Sequence, residues 1–201
     1  MLEQIQELLQ KESQAILNIP VNNNFEKVIE LIYTSVHSNK GKLIASGMGK
    51  AGQIANNIAT TFSSTGTPAV FLHPSDAQHG DLGVIQENDI LLLVSNSGKT
   101  REILELFKLS KNLNPNLKII ALVGISGSPL SELVDCMLET GNPEEICPLG
   151  LTPTTSTTAM TVMGDILVVL MMKKIGLNAE EYAKRHHGGY LGQKSRIAAK
   201  I

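Results

Sequence analysis

Ile90-Leu91-Leu92-Leu93-Val94-Ser95-Asn96-Ser97-Gly98-Lys99-Thr100 decides the fold. Five consecutive aliphatic residues form a strand apolar on both faces, which a sheet needs only when both of its sides are covered. Ile103, Leu104, Leu106, Phe107 and Leu109 then follow at helical spacing. Between strand and helix lie Ser95, Asn96, Ser97 and Thr100, rich in hydroxyl and amide groups. A helix start leaves backbone N–H groups unpaired and carries partial positive charge, so the turn is suited to an anion. Ser and Thr are also ordinary helix caps, and the turn alone does not separate the two uses.

The same strand–turn–helix grammar recurs outward from this stretch. Strands are predicted over 42–46, 69–72, 89–94 and 117–123, with a weaker one over 136–139 after a short helix near Ser131. Helices precede them over 2–17, closed by Pro20, and over 25–37. Others follow over 50–63, 154–175 and 179–186. The alternation predicts one α/β domain over 1–201, a three-layer α-β-α sandwich with a five-stranded parallel sheet. Helices over 1–38 lead into it, and a basic tail from about 193 is expected to be loose. No linker or repeat divides the chain.

Composition narrows the function. The 201 residues carry a net charge of -2 and 3% aromatic side chains with no Trp. This argues against nucleic acid, which asks for a basic stripe or stacking platforms. The N-terminus lacks the basic-then-apolar pattern of a signal peptide. The apolar window Met160–Met172 contains Asp165 and falls short of a bilayer span, so no membrane role is expected. Cys136 and Cys147 form no metal-ligand spacing or disulfide framework and suit a reducing cytoplasm.

Ligands of open α/β sheets bind at the carboxyl ends of the strands. Four polar segments gather there: the turns at Gly47 and Ser95 and the loops after Leu72 and Glu139. Gly47-Met48-Gly49-Lys50-Ala51-Gly52 matches G-x-G-x-x-G, but the second strand ends Leu72-His73-Pro74 without the acid that holds a dinucleotide ribose. Gly98-Lys99-Thr100 resembles the end of a Walker A loop, yet Leu93 occupies the position where that loop requires Gly. Neither a dinucleotide nor a nucleoside triphosphate is expected. His73, Asp76, His79 and Asp81 crowd one loop without three ligands at metal spacing. Glu145 and His186 add candidates for acid–base work.

In order along the chain, Gly47-Met48-Gly49-Lys50, His79-Gly80-Asp81-Leu82-Gly83, Ser95-Asn96-Ser97-Gly98, Cys147-Pro148-Leu149-Gly150-Leu151, the Pro153–Thr158 run and Gly188-Gly189-Tyr190-Leu191-Gly192 resemble the sugar isomerase (SIS) domain family. Within that family they are most similar to the arabinose 5-phosphate isomerases. Three positions depart from the pattern: Lys99 replaces a usual acid, Ala51 a usual Ser, and His187 a usual Pro. The resemblance implies a flavodoxin-like SIS fold in a stand-alone form without the regulatory CBS modules many members carry. It implies interconversion of D-ribulose 5-phosphate and D-arabinose 5-phosphate through an enediol, toward the Kdo of surface polysaccharide, in the cytoplasm and with no cofactor. Catalytic roles carry over to Lys50, His79, Glu102, Glu145 and His186. Substrate or phosphate binding falls to Ser46, Gly47, Gly49, Gly66, Thr67, His73, Ser95, Asn96, Ser97 and Thr100, with His73 also able to take an inhibitory zinc.

The long apolar helix after Thr154 needs cover on every side, and SIS domains commonly assemble, so a homotetramer is expected, with His79 or His186 serving a neighbouring site. Two alternatives stay open on the sequence. One is another SIS isomerase acting on a hexulose or heptose phosphate, and the other a sugar-phosphate-binding regulatory module.

Overall fold

The computed structural model describes residues 1–200. Five strands, β1 (Leu43–Gly47), β2 (Ala69–Phe71), β3 (Ile90–Ser95), β4 (Lys118–Val123) and β5 (Cys136–Glu139), pair in parallel in the order β2-β1-β3-β4-β5. Register along the central pair runs from Leu43 opposite Ile90 to Gly47 opposite Val94. The strand order reverses between β1 and β3, so the chain leaves these two neighbours in opposite directions and opens a crevice between them.

The helices are α1 (Leu2–Leu17), α2 (Asn24–Ile32), α3 (Gly49–Ser64), α4 (Pro74–Ala77), α5 (Arg101–Leu113), α6 (Thr155–Lys174), α7 (Ala179–Ala183) and α8 (Gly189–Ala199). Side chains alternate across a strand. Leu43, Ala45, Ile90, Leu92 and Val94 therefore pack with α2, α3 and α6 in one apolar cluster. Ile44, Leu91, Leu93, Ile119 and Ala121 pack with Ile103 and Leu106 of α5 in the other. The result is the expected three-layer sandwich, and its two-sided core accounts for the unbroken apolar strands.

Helix α6 is 20 residues long and apolar enough to cross a membrane by length and composition alone. Here it is a core helix. Met160, Met163, Gly164, Leu167, Val168 and Met171 are buried, and a Cβ at Gly164 would come within 2.5 Å of Ile58 Cγ1 on α3. Its far side leaves Ile166 and Val169 exposed.

The region near Ser131 forms turns rather than the expected short helix, while the helix expected over 25–37 is present, its second half wound as a wider π-helical turn, Tyr33–Ser38. The basic tail from about 193 is the second half of α8. That helix starts where Gly189 adopts φ +65° and packs beside α7 over an apolar cavity lined by Met172, Tyr182 and Leu191. Its basic residues lie among small and apolar ones that pattern too weakly to announce a helix.

Candidate active site

At the carboxyl end of β1 the chain turns through Met48 into α3, with Gly49 at φ +56° and Lys50 in the first helical turn. The turn is tight because a Cβ at Gly52 would stand 2.5 Å from the Gly47 carbonyl oxygen. At the end of β3, the Ser95 and Thr100 hydroxyls meet at 3.0 Å, Gly98 N–H donates to the Ser95 carbonyl at 3.0 Å, and Lys99 N–H donates to Ser97 Oγ at 3.1 Å. Gly98, at φ +59°, presses against the β4–β5 loop so closely that a Cβ would meet Ser128 Oγ at 2.2 Å. The Asn96 carbonyl accepts the Gly124 N–H at 2.8 Å, while Asn96 Oδ1 is buried without a partner.

These two turns enclose a cavity of about 320 Å³ with the start of α6 as its third wall. Lys50, Ser95, Asn96, Ser97 and Thr100 line it together with Pro153, Ser156 and Thr157. The N-termini of α3 and α5 thus border one space beside the start of α6, and their dipoles, a lysine and several hydroxyls suit it to a small anion. A groove of about 490 Å³ between α3 and α6 shares Lys50, Pro153 and Thr157 and extends the space toward Gln53 and Asn57. The α6 wall had only one signal in the sequence, the Pro153–Thr158 run, and spacing gave it no chemistry.

Glu145 stands behind that wall. Its Oε2 accepts the Thr154 N–H at 2.6 Å, the Thr154 hydroxyl at 2.9 Å and the Ser156 N–H at 3.4 Å, and its Oε1 accepts the Ser156 hydroxyl. Burial pushes the carboxyl upward, but donors from Ser156 and Thr154 outweigh it and hold Glu145 below its ordinary value. Nearby, Cys147 Sγ accepts N–H groups from Thr152 at 3.1 Å and Leu151 at 3.2 Å, which lowers the thiol to about 7.

The remaining candidates divide between the two ends of the sheet. Gly47 and Gly49 form the β1 turn, whereas Ser46 is fully buried and its hydroxyl donates to the Leu72 carbonyl at 2.6 Å, bracing β1 to the end of β2. That correction removes Ser46 from the cavity. Glu102 lies in the first turn of α5, two residues beyond Thr100, without lining the cavity. His73 directly precedes α4, with Nδ1 buried, without a hydrogen bond, and 3.8 Å from Asp76 Oδ2. His79 is exposed in the next turn. Among the described residues no three His, Cys, Asp or Glu side chains gather as a metal site.

Gly66, Thr67 and His186 are at the opposite end. Thr67 is buried, with its hydroxyl 3.0 Å from His37 Nε2, and the neighbouring Pro68 carbonyl accepts the N–H of Leu43 at the amino end of β1. A Cβ at Gly66 would lie 3.5 Å from the Arg185 guanidinium, which places the residue before His186 at this same end. His186 stacks on Tyr182 with ring centroids 3.8 Å apart, and its Nδ1 lies 3.0 Å from the Tyr182 carbonyl. Helix α3 separates Gly49 from this end by roughly 24 Å, and α6 spans roughly 30 Å, at 1.5 Å per residue. Gly66 and Thr67, expected to line the substrate pocket, therefore do not join Lys50 within one chain, and His186 lies a helix length from Lys50 in the same chain.

A doubly wound parallel sheet with a lysine and hydroxyls lining the crevice at its strand reversal is an α/β arrangement suited to a small anionic ligand. The chain belongs to the SIS domain family, whose model matches residues 37–170. It is similar to the arabinose 5-phosphate isomerase KdsD of Yersinia pestis, at 44% identity over 92% of this chain and 55% of that protein. The KdsD of Pseudomonas aeruginosa is 39% identical over the same shares. The chain spans about half the length of the curated relatives it matches. Among solved structures, one described as a phosphosugar isomerase involved in capsule formation from Bacteroides fragilis is 67% identical, with a TM-score of 0.93, covering 94% of this chain and 99% of that one. An Escherichia coli CFT073 protein in complex with arabinose 5-phosphate is 30% identical, with a TM-score of 0.84, covering 92% and 96%.

Proposed function

We propose that this chain is an aldose–ketose isomerase interconverting D-ribulose 5-phosphate and D-arabinose 5-phosphate, and that its product feeds Kdo synthesis for capsule or lipopolysaccharide. The observation that carries this reading is the anion cradle of Ser95, Ser97 and Thr100 opening beside Lys50 and the α6 wall. Similarity to KdsD enzymes across 92% of the chain supports the choice of substrate.

In this mechanism the Ser95–Thr100 turn holds the phosphate. A carboxylate removes the C1 proton of the ketose, the electron pair moves into a C1–C2 enediolate, and the proton returns to C2 as the aldehyde forms at C1. Glu145 and Glu102 are the two candidates for the carbon-bound proton: Glu145 is held by four donors at the start of α6, and Glu102 stands in the first turn of α5, outside the cavity lining. Lys50 stabilises the enediolate or the phosphate, a contribution of the oxyanion type, and His79 contacts sugar hydroxyls. No step calls for a redox or nucleotide cofactor, and the partner is a sugar phosphate rather than nucleic acid or membrane.

His186 is assigned to a neighbouring subunit's site, because its own pocket lies a helix length away. The exposed Ile166 and Val169 on α6, with Leu2 and Leu9 on α1, offer apolar surface for a homotetramer. Two free cysteines fit a cytoplasmic setting. Incubating the protein separately with D-ribulose 5-phosphate and D-fructose 6-phosphate tests the reading. Arabinose 5-phosphate formed only from the pentulose supports it. Turnover of the hexose alone moves the chain to another SIS isomerase, and turnover of neither moves it to a binding module.

A further inference from the structure

On helix α1 and the turn after it, the residues that face inward are Glu12, Ala15, Ile16 and Ile19, a stripe at helical spacing in which Ile19 is buried and Ile16 packs on the core. An acid in such a stripe is costly unless paired. Glu12 Oε1 accepts the Thr155 hydroxyl at 3.2 Å, while Glu12 Oε2 is buried without a hydrogen bond. Thr155 is the first residue of α6 and only 2% exposed. Its Oγ1 also accepts the N–H of Ile146 at 3.3 Å, and that N–H is shared with Thr154 Oγ1 at 3.2 Å. Thr154 in turn donates both N–H and hydroxyl to Glu145.

These contacts form one continuous network running from α1 through Thr155 and Ile146 to Thr154, Glu145 and Ser156, and the last of these lines the anion cavity. The Thr155 hydroxyl has a single proton. By accepting it, Glu12 leaves the oxygen lone pairs free for Ile146 N–H and so fixes which way the loop before α6 is held.

We infer that Glu12 is a positioning residue for the candidate site, acting through Thr155 to hold Glu145 and the Ser156 wall in place. The inference rests on the isomerase reading for its kinetic consequence, but the coupling of Glu12 to the loop does not depend on which substrate is used. A helix that adds little to the core would then tune the site from its far side.

The test compares E12A, E12Q and T155V with E7A, a control at an exposed pair of α1 in which Glu7 meets Lys11 at 2.8 Å. The readouts are the separate kcat and KM for ribulose 5-phosphate and the amide hydrogen exchange of residues 141–153. In E12A and T155V, kcat is expected to fall on the order of tenfold to a hundredfold with KM changed less than about threefold, as for a displaced catalytic group. E12Q, whose amide oxygen can still accept from Thr155, is expected to retain most of kcat. The E12A/T155V double variant should cost no more than T155V alone, since T155V already removes the hydroxyl that Glu12 accepts. Faster exchange of 141–153 in E12A but not in E7A confirms the coupling even if the wild type turns over no pentulose phosphate, which would overturn the isomerase reading alone. Unchanged exchange together with wild-type kcat in folded E12A and T155V overturns the inference.

Discussion

Thr154 donates its backbone N–H to Glu145 Oε2 over 2.6 Å, so the carboxylate caps helix α6 from nine residues upstream. Capping is usually done by the residue at the helix start, and the Thr154 side chain does not do it here. The start of α6 therefore depends on a residue that family resemblance assigns to catalysis. Structural and chemical demands on Glu145 meet at one group.

The pH dependence of stability follows from that contact. Burial pushes the Glu145 carboxyl up, and the Ser156 and Thr154 donors more than reverse it, so its folded pKa lies below the ordinary 4.5. A depressed carboxyl stabilises the fold above its unfolded pKa and loses that contribution as pH falls through the folded value. Thermal melts should therefore show less acid destabilisation in E145Q than in wild type when pH 7 is compared with pH 3 to 4. An identical pH slope in the two proteins would contradict the assignment.

The Ser95–Thr100 contact at 3.0 Å gives a second expectation. Thr100→Val keeps the shape of the helix cap residue and removes one hydroxyl from the anion turn. Losing a hydrogen bond to a charged phosphate costs about 1.5–3 kcal/mol, so KM for a sugar phosphate should rise roughly tenfold to a hundredfold while the melting temperature changes little. Steady-state kinetics on the pentulose phosphate and a thermal melt check the two parts.

Separation of Lys50 from His186 by a helix length predicts intersubunit complementation. K50M and H186A homo-oligomers should each lose activity on the order of a hundredfold or more. Mixing them after reversible dissociation should restore a fraction, because some sites then receive an intact Lys50 from one chain and an intact His186 from another. A mixture no more active than its parents would place both residues in one chain's site or outside catalysis.

Cys147 and Cys136 should differ sharply toward iodoacetamide. Backbone donors from Thr152 and Leu151 lower Cys147 to about 7, whereas burial raises Cys136. Only the thiolate reacts. Peptide mapping should show Cys147 alkylated first, with a rate that climbs around pH 7 and levels off above it, and Cys136 modified only on unfolding.

Much of the fold was readable in order along the chain. Ile90–Val94 could be a strand apolar on both faces only within a covered parallel sheet, and the hydroxyl turn after it had to meet a helix start. The positive φ at Gly49 and Gly98 came with the structure, where turns of that geometry favour glycine. The tail helix α8 and the role of Ser46 were not readable. A serine at the end of a strand looks the same whether its hydroxyl faces a ligand or the next strand, and only the β1–β2 pairing turns Ser46 to the Leu72 carbonyl.

By itself the sequence determined the layer order, the parallel sheet and the anion turns, because periodicity and turn chemistry are local properties. Tertiary structure alone decided which of those polar segments share a space. It brought the α6 wall and Glu145 to the Lys50 and Ser95 turns, joined Glu12 to them through Thr155, and carried Gly66, Thr67 and His186 to the far end of the sheet. The reason is directional: each helix that begins at the carboxyl edge ends at the opposite one, so residues a single helix apart in sequence finish a domain's width apart in space.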